Sequence, residues 1–498
     1  MNKWFLLILL VTLNASFSYS QKIKFSPELK ENRNARFMKI LGTDEDENIF
    51  LLRSNLSLES DRERSGLRAR EYYLQFFSNE LNLVWEKQLN SSLENGRIVD
   101  VQINNNRVVV VSYIVDRKAK LYSFYIQAMN SKGEWVGEPT LIDQFFAIDL
   151  DEDDKPGIVN SNDEMTIAFS YRKISSDYKS QFIHVVLLDT AFQTLVNKDI
   201  VINSPAKNFI PLSSLLTDDR IFLVLGTRYT TDKRVKSPGE VFYEIHGYNF
   251  KADYLLNAEI KIEGKFLTDV GFSVDNSNHR VIAAGFYSDR STYSTAGIFY
   301  NSFSEDSLVQ LSSSSSPFPD SYLVKFIGER KGNKSKELVN YSIDRLIVRK
   351  DGGVAIMAES FNRAERTYYD YYIQSYIYHY YYHYGNVMVC SVNPSGNILW
   401  GNVISKDQNS VDDGGATSSY HSSIIHGKIL SIYNKYIDED SSVLLTTIDG
   451  VGSERTDVLI NEIARVTVIP HSAKQIDEDT ILMPAYKQNK FQLLRISF

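Results

Sequence analysis

The sequence has a single cysteine, Cys390, among 498 residues. One cysteine can form neither an internal disulfide, nor the thiolate cluster of a structural zinc site, nor a Cys-x-x-Cys redox pair. The fold must therefore be stabilised by burial of apolar side chains. Cys390 ends the apolar stretch Val387-Met388-Val389-Cys390, so we expect it to be a small buried residue of a sheet core.

Long apolar runs and basic clusters are also missing. No apolar run reaches the ~20 residues that a membrane-spanning helix needs, so we predict no membrane span in the mature chain. Lys and Arg total 54 and Asp and Glu total 62, which gives a net charge of −8. Such a chain lacks the clustered cations that phosphate contacts require, and we predict no nucleic-acid partner.

The composition favours strands. Proline is scarce, at 11 residues, whereas the chain has 31 Tyr and 27 Phe. Aromatic residues are enriched in β-strands. Charged residues make up 23% of the chain and hydrophobic residues 43%, proportions that are typical of a folded globular protein.

The first 20 residues have the three parts of a cleavable secretory signal. Lys3 is followed by an apolar run over residues 4–13, and Ser18 and Ser20 place small side chains before Gln21. We predict a signal peptide over residues 1–20, cleavage before Gln21, and export to the periplasm or the cell exterior. A retained membrane anchor is the alternative, which the shortness of the apolar run disfavours.

The rest of the chain is a repeat. Eight times, a polar turn precedes a run of mostly apolar residues, and the runs begin at residues 49, 108, 165, 221, 281, 354, 429 and 481. Most units contain a second turn followed by a further strand, which gives four antiparallel strands per unit. We predict an all-β fold, an eight-bladed β-propeller of four-stranded antiparallel blades over residues 21–498; seven blades is the alternative. A parallel β-helix fits less well because its coils are shorter and lack hairpin turns.

The two ends of the chain are predicted to meet. The last unit has room for only three strands, and a short strand at the mature N-terminus precedes the first full unit. We predict that residues 22–25 pair with residues 491–498. This pairing would complete the last blade and close the ring without free sheet edges.

Two long insertions, over residues 312–338 and 362–385, are predicted on one face of the propeller. Connections held by a rigid scaffold are where binding usually occurs. Residues 368–384 contain ten of the 31 tyrosines. Tyr combines an apolar ring with a polar tip at a low entropy cost, so this segment is suited to stack sugar rings or a partner's side chains. The alternative is a tall hairpin whose rings pack on each other and on the propeller rim.

We predict that strand ends of the sixth and seventh blades meet beside this segment and form a ligand-binding surface. Its residues are Glu359, Tyr380, Tyr381, Tyr382, Lys406, Gln408, Asp412, Asp413, Tyr420 and Asn434. The rings would stack a ligand, and the polar groups would fix its orientation. This predicts a binding or scaffold protein whose partner is a glycan or an envelope protein. A carbohydrate-active hydrolase or lyase is the alternative, for which Glu359, Asp412 and Asp413 would supply paired carboxylates.

Motifs for catalysis, cofactors and metals are missing. The sequence contains no Gly-x-Ser-x-Gly, no His-Glu-x-x-His, no phosphate loop and no Rossmann glycine pattern. We therefore assign no catalytic residue and no cofactor, which favours a protein that is not an enzyme. His379 and His383 are four residues apart, but their surroundings are strand-like, and the acidic run 149–154 lacks the glycine of a calcium loop. We predict no metal site.

One region resembles a known family. The segments that carry the resemblance are Glu359-Ser360-Phe361, His379-Tyr380-Tyr381-Tyr382, Gly396-Asn397-Ile398-Leu399-Trp400, Ile404-Ser405-Lys406-Asp407-Gln408, Asp412-Asp413-Gly414-Gly415, Ser418-Ser419-Tyr420 and Tyr433-Asn434. Over residues 340–440 the chain resembles uncharacterised, secreted β-propeller-like proteins of Bacteroidota-type bacteria. It differs from their pattern at Ser360 and Lys435. The resemblance implies the compartment and the fold, and it implies no activity.

Overall fold

A computed structural model describes residues 21–30, 35, 37–55, 71–146, 156–174, 180–202, 208–229, 238–327, 337–372, 374–437, 440–488 and 490–498. The predicted signal peptide and the acidic run 149–154 lie outside the described residues, as do residues 328–336 of the first predicted insertion and residue 373 of the second.

Antiparallel strands form nearly all the regular structure of the described residues. Eight sheets of the described ranges have at least four strands each, and we number these sheets in chain order, from the strands that follow residue 36. The first two strands, β1 (Lys22–Phe25) and β2 (Leu29–Lys30), belong to the last sheet. Sheet 1 contains β3 (Phe37–Thr43), β4 (Ile49–Ser54), β5 (Tyr72–Phe77) and β6 (Leu83–Leu89), and sheet 2 contains β7 (Arg97–Asn104), β8 (Arg107–Asp116), β9 (Leu121–Met129) and β10 (Trp135–Phe146). Sheet 3 contains β11 (Gly157–Asn160), β12 (Thr166–Ile174), β13 (Gln181–Asp189) and β14 (Thr194–Ile202). Sheet 4 contains β15 (Phe209–Leu216), β16 (Ile221–Tyr229), β17 (Val241–Asn249) and β18 (Tyr254–Ile260).

The second half of the chain repeats this order. Sheet 5 contains β19 (Phe266–Asp275), β20 (Arg280–Ser288), β22 (Gly297–Ser304) and β23 (Gln310–Pro317). Sheet 6 contains β25 (Tyr341–Val348), β26 (Val354–Asp370), β27 (Ser375–Val392), β28 (Ile398–Ile404) and β29 (Gln408–Val411). Sheet 7 contains β30 (His421–Ile425), β31 (Lys428–Asn434), β32 (Val443–Ile448) and β33 (Glu454–Ile460). Sheet 8 contains β34 (Val466–Val468), β35 (Lys474–Gln475), β36 (Thr480–Lys487) and β37 (Lys490–Ser497), together with β1 and β2. A separate pair is formed by β21 (Ser294–Thr295) and β24 (Leu338–Val339).

The second strand of every sheet begins within one residue of a predicted apolar run, so the repeat is confirmed. Each of these strands is buried because its two faces pack against two neighbouring sheets. In β16, Ile221, Leu223 and Leu225 pack in one core cluster with side chains of sheet 5. The alternating residues Phe222 and Val224 pack in another cluster with side chains of sheet 3. A strand that is covered on both sides needs apolar residues at every position, which explains the continuous apolar runs.

The first strands of the sheets contact one another in order. Contacts join β3 to β7, β7 to β11, β11 to β15, β15 to β19 and β19 to β25. Arg345 on β25 then donates a hydrogen bond to Ser422 on β30, and Gln475 on β35 bonds with the backbone of Ile424 on β30. Finally, Lys474 on β35 contacts the carbonyl oxygen of Leu41 on β3. The sheets are thus arranged as blades of a β-propeller, with their first strands innermost.

The predicted meeting of the chain ends is confirmed. The strand β1 pairs antiparallel with β37, and Lys22 lies opposite Ser497 while Phe25 lies opposite Leu494. Ser26 continues the contact, because its hydroxyl oxygen accepts a hydrogen bond from the Leu493 N–H at 2.9 Å. The N-terminal strand therefore supplies the outer strand of sheet 8.

The first predicted insertion is shorter than the sequence suggested. Residues 312–317 belong to β23, and the connection that follows contains the helix α1 (Asp320–Ile327). The serine-rich segment forms a strand because it lies at the exposed outer edge of sheet 5, where hydroxyls find partners: Ser312 bonds with Ser302 at 2.7 Å. The helix forms because Leu323 and Phe326 pack into the core between sheets 5 and 6.

Two further sequence expectations concern burial and membrane spans. Cys390 is fully buried, as predicted, in the cluster that α1 covers. Within the described ranges, no helix has the length and hydrophobicity needed to cross a membrane.

Candidate functional site

The ten predicted site residues fall into two groups of five. Five polar residues are buried where sheets 6 and 7 meet: Glu359, Lys406, Gln408, Tyr420 and Asn434. The other five lie on or beside the hairpin formed by β26 and β27: Tyr380, Tyr381, Tyr382, Asp412 and Asp413. The predicted convergence of strand ends is therefore present, but half of its residues face the interior.

A buried ion pair forms the centre of the first group. The Lys406 ammonium contacts the Glu359 carboxylate, and the two side chains are 0% and 4% exposed. Lys406 also donates a hydrogen bond to Gln408 Oε1 at 3.1 Å. Burial lowers the pKa of Lys406, while the adjoining Glu359 carboxylate favours its charged form.

Local sequence explains how these two side chains meet. Glu359 follows the apolar run of β26 at a register shift, where the hairpin leaves the body of sheet 6. Beyond β28, buried Lys406 and Gln408 alternate with exposed Ser405 and Asp407. This period of two directs both buried side chains toward Glu359, as in a strand with one face inward.

Hydrogen bonds extend the buried network into sheets 7 and 8. The Ser419 hydroxyl donates to Glu359 Oε2 at 2.6 Å, and the Ser419 N–H donates to Gln408 Oε1 at 2.7 Å. Gln408 Nε2 donates to the carbonyl oxygen of Asn434 at 2.6 Å. Asn434 in turn exchanges two hydrogen bonds with the backbone of Val468 on β34, at 2.8 and 3.0 Å. These bonds link three consecutive sheets and satisfy the buried polar atoms that take part in them.

Sequence reasoning missed Asp344, which adjoins this network. Asp344 Oδ2 accepts a hydrogen bond from the Tyr420 hydroxyl at 3.0 Å. The Asp344 side chain reaches solvent on the innermost strand, yet protein groups crowd around it. This crowding removes part of its hydration and, together with the Glu359 carboxylate, raises the pKa of Asp344 to about 7. Asp344 lies at a register shift between β25 and β26, where the pairing skips it. The sequence does contain a signal for Asp344, because a carboxylate between Ile343 and Arg345 is unusual in an innermost strand.

The second group belongs to a long hairpin. The neighbouring strand β25 reaches along β26 only as far as Ser360, which pairs with Tyr341, the first residue of β25. Beyond that point β26 and β27 remain paired with each other as far as Asp370 and Ser375. Six tyrosines of the outer part are exposed: Tyr368, Tyr369, Tyr371, Tyr372, Tyr376 and Tyr378. Tyr371 and Tyr372 at the tip are 82% and 99% exposed.

Tyr380, Tyr381 and Tyr382 are half-buried at the base of this hairpin. The Arg363 guanidinium lies over the Tyr380 ring at 4.5 Å, and the Arg366 guanidinium lies over the Tyr381 ring at 4.8 Å. The strand β29 adds a third strand here, because Tyr381 lies opposite Val411. Cation–π contacts and strand pairing thus hold the hairpin base in one conformation.

Asp412 and Asp413 fix the loop that supports the hairpin. Asp412 Oδ1 accepts the Tyr380 N–H at 2.8 Å, and its Oδ2 lies 2.6 Å from His379 Nδ1. These hydrogen bonds lower the pKa of Asp412. Asp413 Oδ1 accepts hydrogen bonds from the Ser410 hydroxyl and the Gly415 N–H. His383 pairs with Asp407 instead, so the two histidines contact separate carboxylates.

Comparisons with known proteins add little. No family model matches the chain, and no curated protein matches it. Among solved structures, the chain is similar to the WD40 domain of SCAP from fission yeast at 8% identity and a TM-score of 0.41, covering 96% of this chain and 94% of that one. It is also similar to the β-propeller domain of the Trilobed protease from Pyrococcus furiosus, at 9% identity and a TM-score of 0.35, covering 85% and 93%. An α-L-arabinofuranosidase from Fusarium graminearum matches at 9% identity and a TM-score of 0.32, covering 78% and 98%. Similarities at these values carry no information on function, and the fold rests on the sheets themselves.

Proposed function

We propose that residues 21–498 form a single eight-bladed β-propeller that is exported and binds a partner through the tyrosine-rich hairpin. The blade number is supported by the eight sheets and by the innermost contacts that return from sheet 8 to sheet 1. Export is supported by the signal-like residues 1–20 and by the resemblance over residues 340–440.

One observation carries the binding role. Six exposed tyrosines lie within eleven consecutive residues of one hairpin, 368–378. Aromatic rings that are left exposed together mark an interaction surface, since burying them is strongly favourable. The rings also contact one another: those of Tyr369 and Tyr371 are 5.0 Å apart, and those of Tyr369 and Tyr376 are 5.1 Å apart. A surface that is already ordered loses little entropy when it binds.

The partner that we propose is a glycan or an envelope protein that carries anionic groups. Tyr faces stack equally on sugar rings and on apolar side chains. Among the described residues, neither Arg363 nor Arg366 forms an ion pair with a carboxylate, and both lie beside the tyrosines. Guanidinium groups next to aromatic rings suit carboxylate or phosphate groups of a partner.

A glycan array and a pull-down from envelope extracts would test this proposal. We expect Tyr371→Ser with Tyr376→Ser to weaken capture about thirtyfold, which corresponds to about 2 kcal/mol for the loss of aromatic anchors. The matched control is Tyr293→Ser with Tyr436→Ser, because these tyrosines are exposed to a similar extent elsewhere on the surface. Equal losses in both double variants, or in neither, would contradict the assignment. Binding on the array identifies a glycan, and binding only in the extract identifies a protein.

The second candidate function is the carbohydrate-active hydrolase or lyase. A single observation favours it: Asp344, with a pKa raised to about 7, lies close enough to the Glu359 carboxylate to be affected by its charge. Neighbouring carboxyl groups with separated pKa values can act as general acid and base. Incubation of the protein with envelope polysaccharides, with Asp344→Asn as the reference, would test it. Product formed by the unaltered protein and not by the variant would support an enzyme.

A further inference from the structure

Three turns of sheets 4 and 5 bring together an aspartate, a histidine and a glutamate. Asp219 lies in the turn between β15 and β16, His279 in the turn between β19 and β20, and Glu305 directly after β22. One donor atom from each residue lies within 4.8 Å of the other two. We propose that Asp219, His279 and Glu305 bind a divalent transition-metal ion, with Zn²⁺ as the representative ion.

The distances suit a small coordination sphere. His279 Nδ1 lies 3.4 Å from Glu305 Oε2 and 3.8 Å from Asp219 Oδ2. Zinc bonds to imidazole nitrogen and carboxylate oxygen are about 2.0–2.2 Å long, so tetrahedral ligand atoms are separated by about 3.4 Å. An ion placed among these three atoms would need only small side-chain rotations.

Backbone contacts hold the donors in place. The Glu305 N–H donates a hydrogen bond to the carbonyl oxygen of His279 at 3.1 Å, so these two residues are coupled through the main chain. His279 has a φ of 50°, in the left-handed region, which fixes its position in a tight turn. The other oxygen of Asp219, Oδ1, contacts the Lys251 ammonium. That contact orients the aspartate and leaves Oδ2 as the donor, as outer contacts of metal ligands commonly do.

Glu305 is the strongest reason to expect a cation. Its side chain is 4% exposed, and within the described part of the chain its only ion-pair partner is His279. A buried carboxylate that lacks Lys or Arg is costly to keep ionised. A bound divalent cation would compensate both carboxylates at once.

The donor set selects the class of ion. An imidazole nitrogen favours zinc and related transition metals over Ca²⁺ and Mg²⁺, which prefer oxygen ligands alone. Three protein ligands leave the fourth position for water. Asp219 and His279 lie at turns that join first to second strands, and Glu305 lies at the turn that joins the third strand of sheet 5 to the fourth, whereas the tyrosine-rich hairpin joins a second to a third strand. Antiparallel strands place these connections at opposite ends of a sheet, so the metal site is independent of the proposed partner surface.

Calorimetric titration of Zn²⁺ into the chelator-treated, tag-free protein would test the proposal, together with the absorption spectrum of bound Co²⁺. We expect one equivalent to bind, and we expect His279→Asn and Glu305→Gln each to weaken binding at least tenfold. Asn is chosen because it tolerates the left-handed conformation. The matched control is His426→Asn, since His426 occupies the corresponding turn of sheet 7 with the same φ of 50°. We expect this control to bind Zn²⁺ like the unaltered protein.

Because the His279 side chain is 73% exposed, we expect His279→Asn to fold even where Glu305→Gln does not. Circular dichroism and the melting temperature would verify folding of each variant. The proposal is overturned by an absence of Zn²⁺ binding to the unaltered protein. It is equally overturned by binding that His279→Asn leaves unchanged, or by a loss of binding of the same size in the His426→Asn control.

Discussion

At the scale of single residues, the most unusual feature is a lysine with a fully buried side chain. Lys406 meets Glu359 in the interior, and Ser419 and Gln408 complete their hydrogen bonds. Such a pair offsets its own desolvation only while both charges and the surrounding hydrogen bonds are present. It connects the base of the hairpin to the loop that precedes sheet 7.

Removing one charge of this pair should therefore be severe. We expect Lys406→Met to lower the free energy of unfolding by about 3–5 kcal/mol, because it leaves the Glu359 carboxylate buried and unpaired. Adding Glu359→Gln to Lys406→Met should restore part of the loss. Urea unfolding gives the free energy of unfolding of the unaltered protein, of Lys406→Met and of the double variant. Lys490→Met is the control, since its ion pair with Glu28 is exposed and should contribute little. A change as small in Lys406→Met as in this control would refute the role of the pair.

Asp344 predicts a pH dependence whose sign follows from its raised pKa. The folded protein keeps the Asp344 proton up to a pH of about 7, whereas the unfolded chain releases it above its ordinary pKa of 3.8. Between these values the unfolded state binds fewer protons, so the stability contributed by protonated Asp344 is present at low pH and is lost as the pH rises toward 7. We expect Asp344→Asn to remove this loss, because an amide does not ionise.

The measurement compares urea unfolding of the unaltered protein and of Asp344→Asn at pH 4.5, 6 and 8. The variant should gain stability relative to the unaltered protein as the pH rises. The charged and titratable groups that face Asp344 are Glu359, Tyr420, Lys406 and Asp269, and all of them remain in the variant. A difference between the two proteins that is constant across the three pH values would show that Asp344 does not titrate in this range.

At the scale of elements, β1 contributes more than its four residues suggest. It pairs with β37 along its whole length, and Ser26 continues the contact through hydrogen bonds with Leu493 and Gln492. An unpaired outer strand of sheet 8 would expose a row of N–H and C=O groups. Residues 22–26 thus cover the outer edge of the last sheet.

Deletion of residues 21–27 should lower the free energy of unfolding by several kcal/mol, a large part of the total stability of a typical domain. The loss comes from the ladder with β37 and from Ile23, which packs against the core between sheets 7 and 8. Thermal unfolding followed by circular dichroism measures it. Lys22→Ala keeps the backbone pairing and should melt close to the unaltered protein. An unchanged melting temperature after the deletion would show that β1 does not stabilise the fold.

At the scale of the whole molecule, the lack of disulfides and the architecture are connected. A chain with one cysteine gains no stability from disulfides in an oxidising compartment. Its stability must come from the buried strands that pack between successive sheets, such as β16 between sheets 3 and 5. A disulfide-free protein of this size is therefore expected to depend on the packing between its successive sheets.

Export itself can be tested by mass. We expect the protein isolated from its native source to begin at Gln21, without a lipid, because small residues precede this position. Intact-mass spectrometry decides the point. In a matched variant, Ser20→Glu, we expect residues 1–20 to be retained, since signal cleavage requires a small residue at that position. A native mass that includes residues 1–20 would disprove the signal peptide.

The sequence predicted the fold better than the site. The apolar runs and the polar turns could be predicted because they depend on residues that are close in sequence. The pairing of the two chain ends could be predicted by counting strands, since the last unit lacked one strand and the N-terminus had one to spare. The site was readable only in part. Glu359, Lys406, Gln408 and Asn434 do converge, but the structure places them in the interior, where Thr417 and Ser419 of the following loop form hydrogen bonds with three of them. Whether they contribute to ligand binding stays a prediction.

Local chemistry, which is all that a sequence expresses directly, determined the all-β repeat, the positions of the second strands and the tyrosine-rich hairpin. Tertiary structure decided which side chains meet. Asp344 and Tyr420, or Asp219, His279 and Glu305, carry no common motif, and they become neighbours only when adjacent sheets pack. The physical reason is that strand formation depends on a period of two along the chain, whereas ion pairs and metal ligands depend on distances of a few ångströms between different sheets.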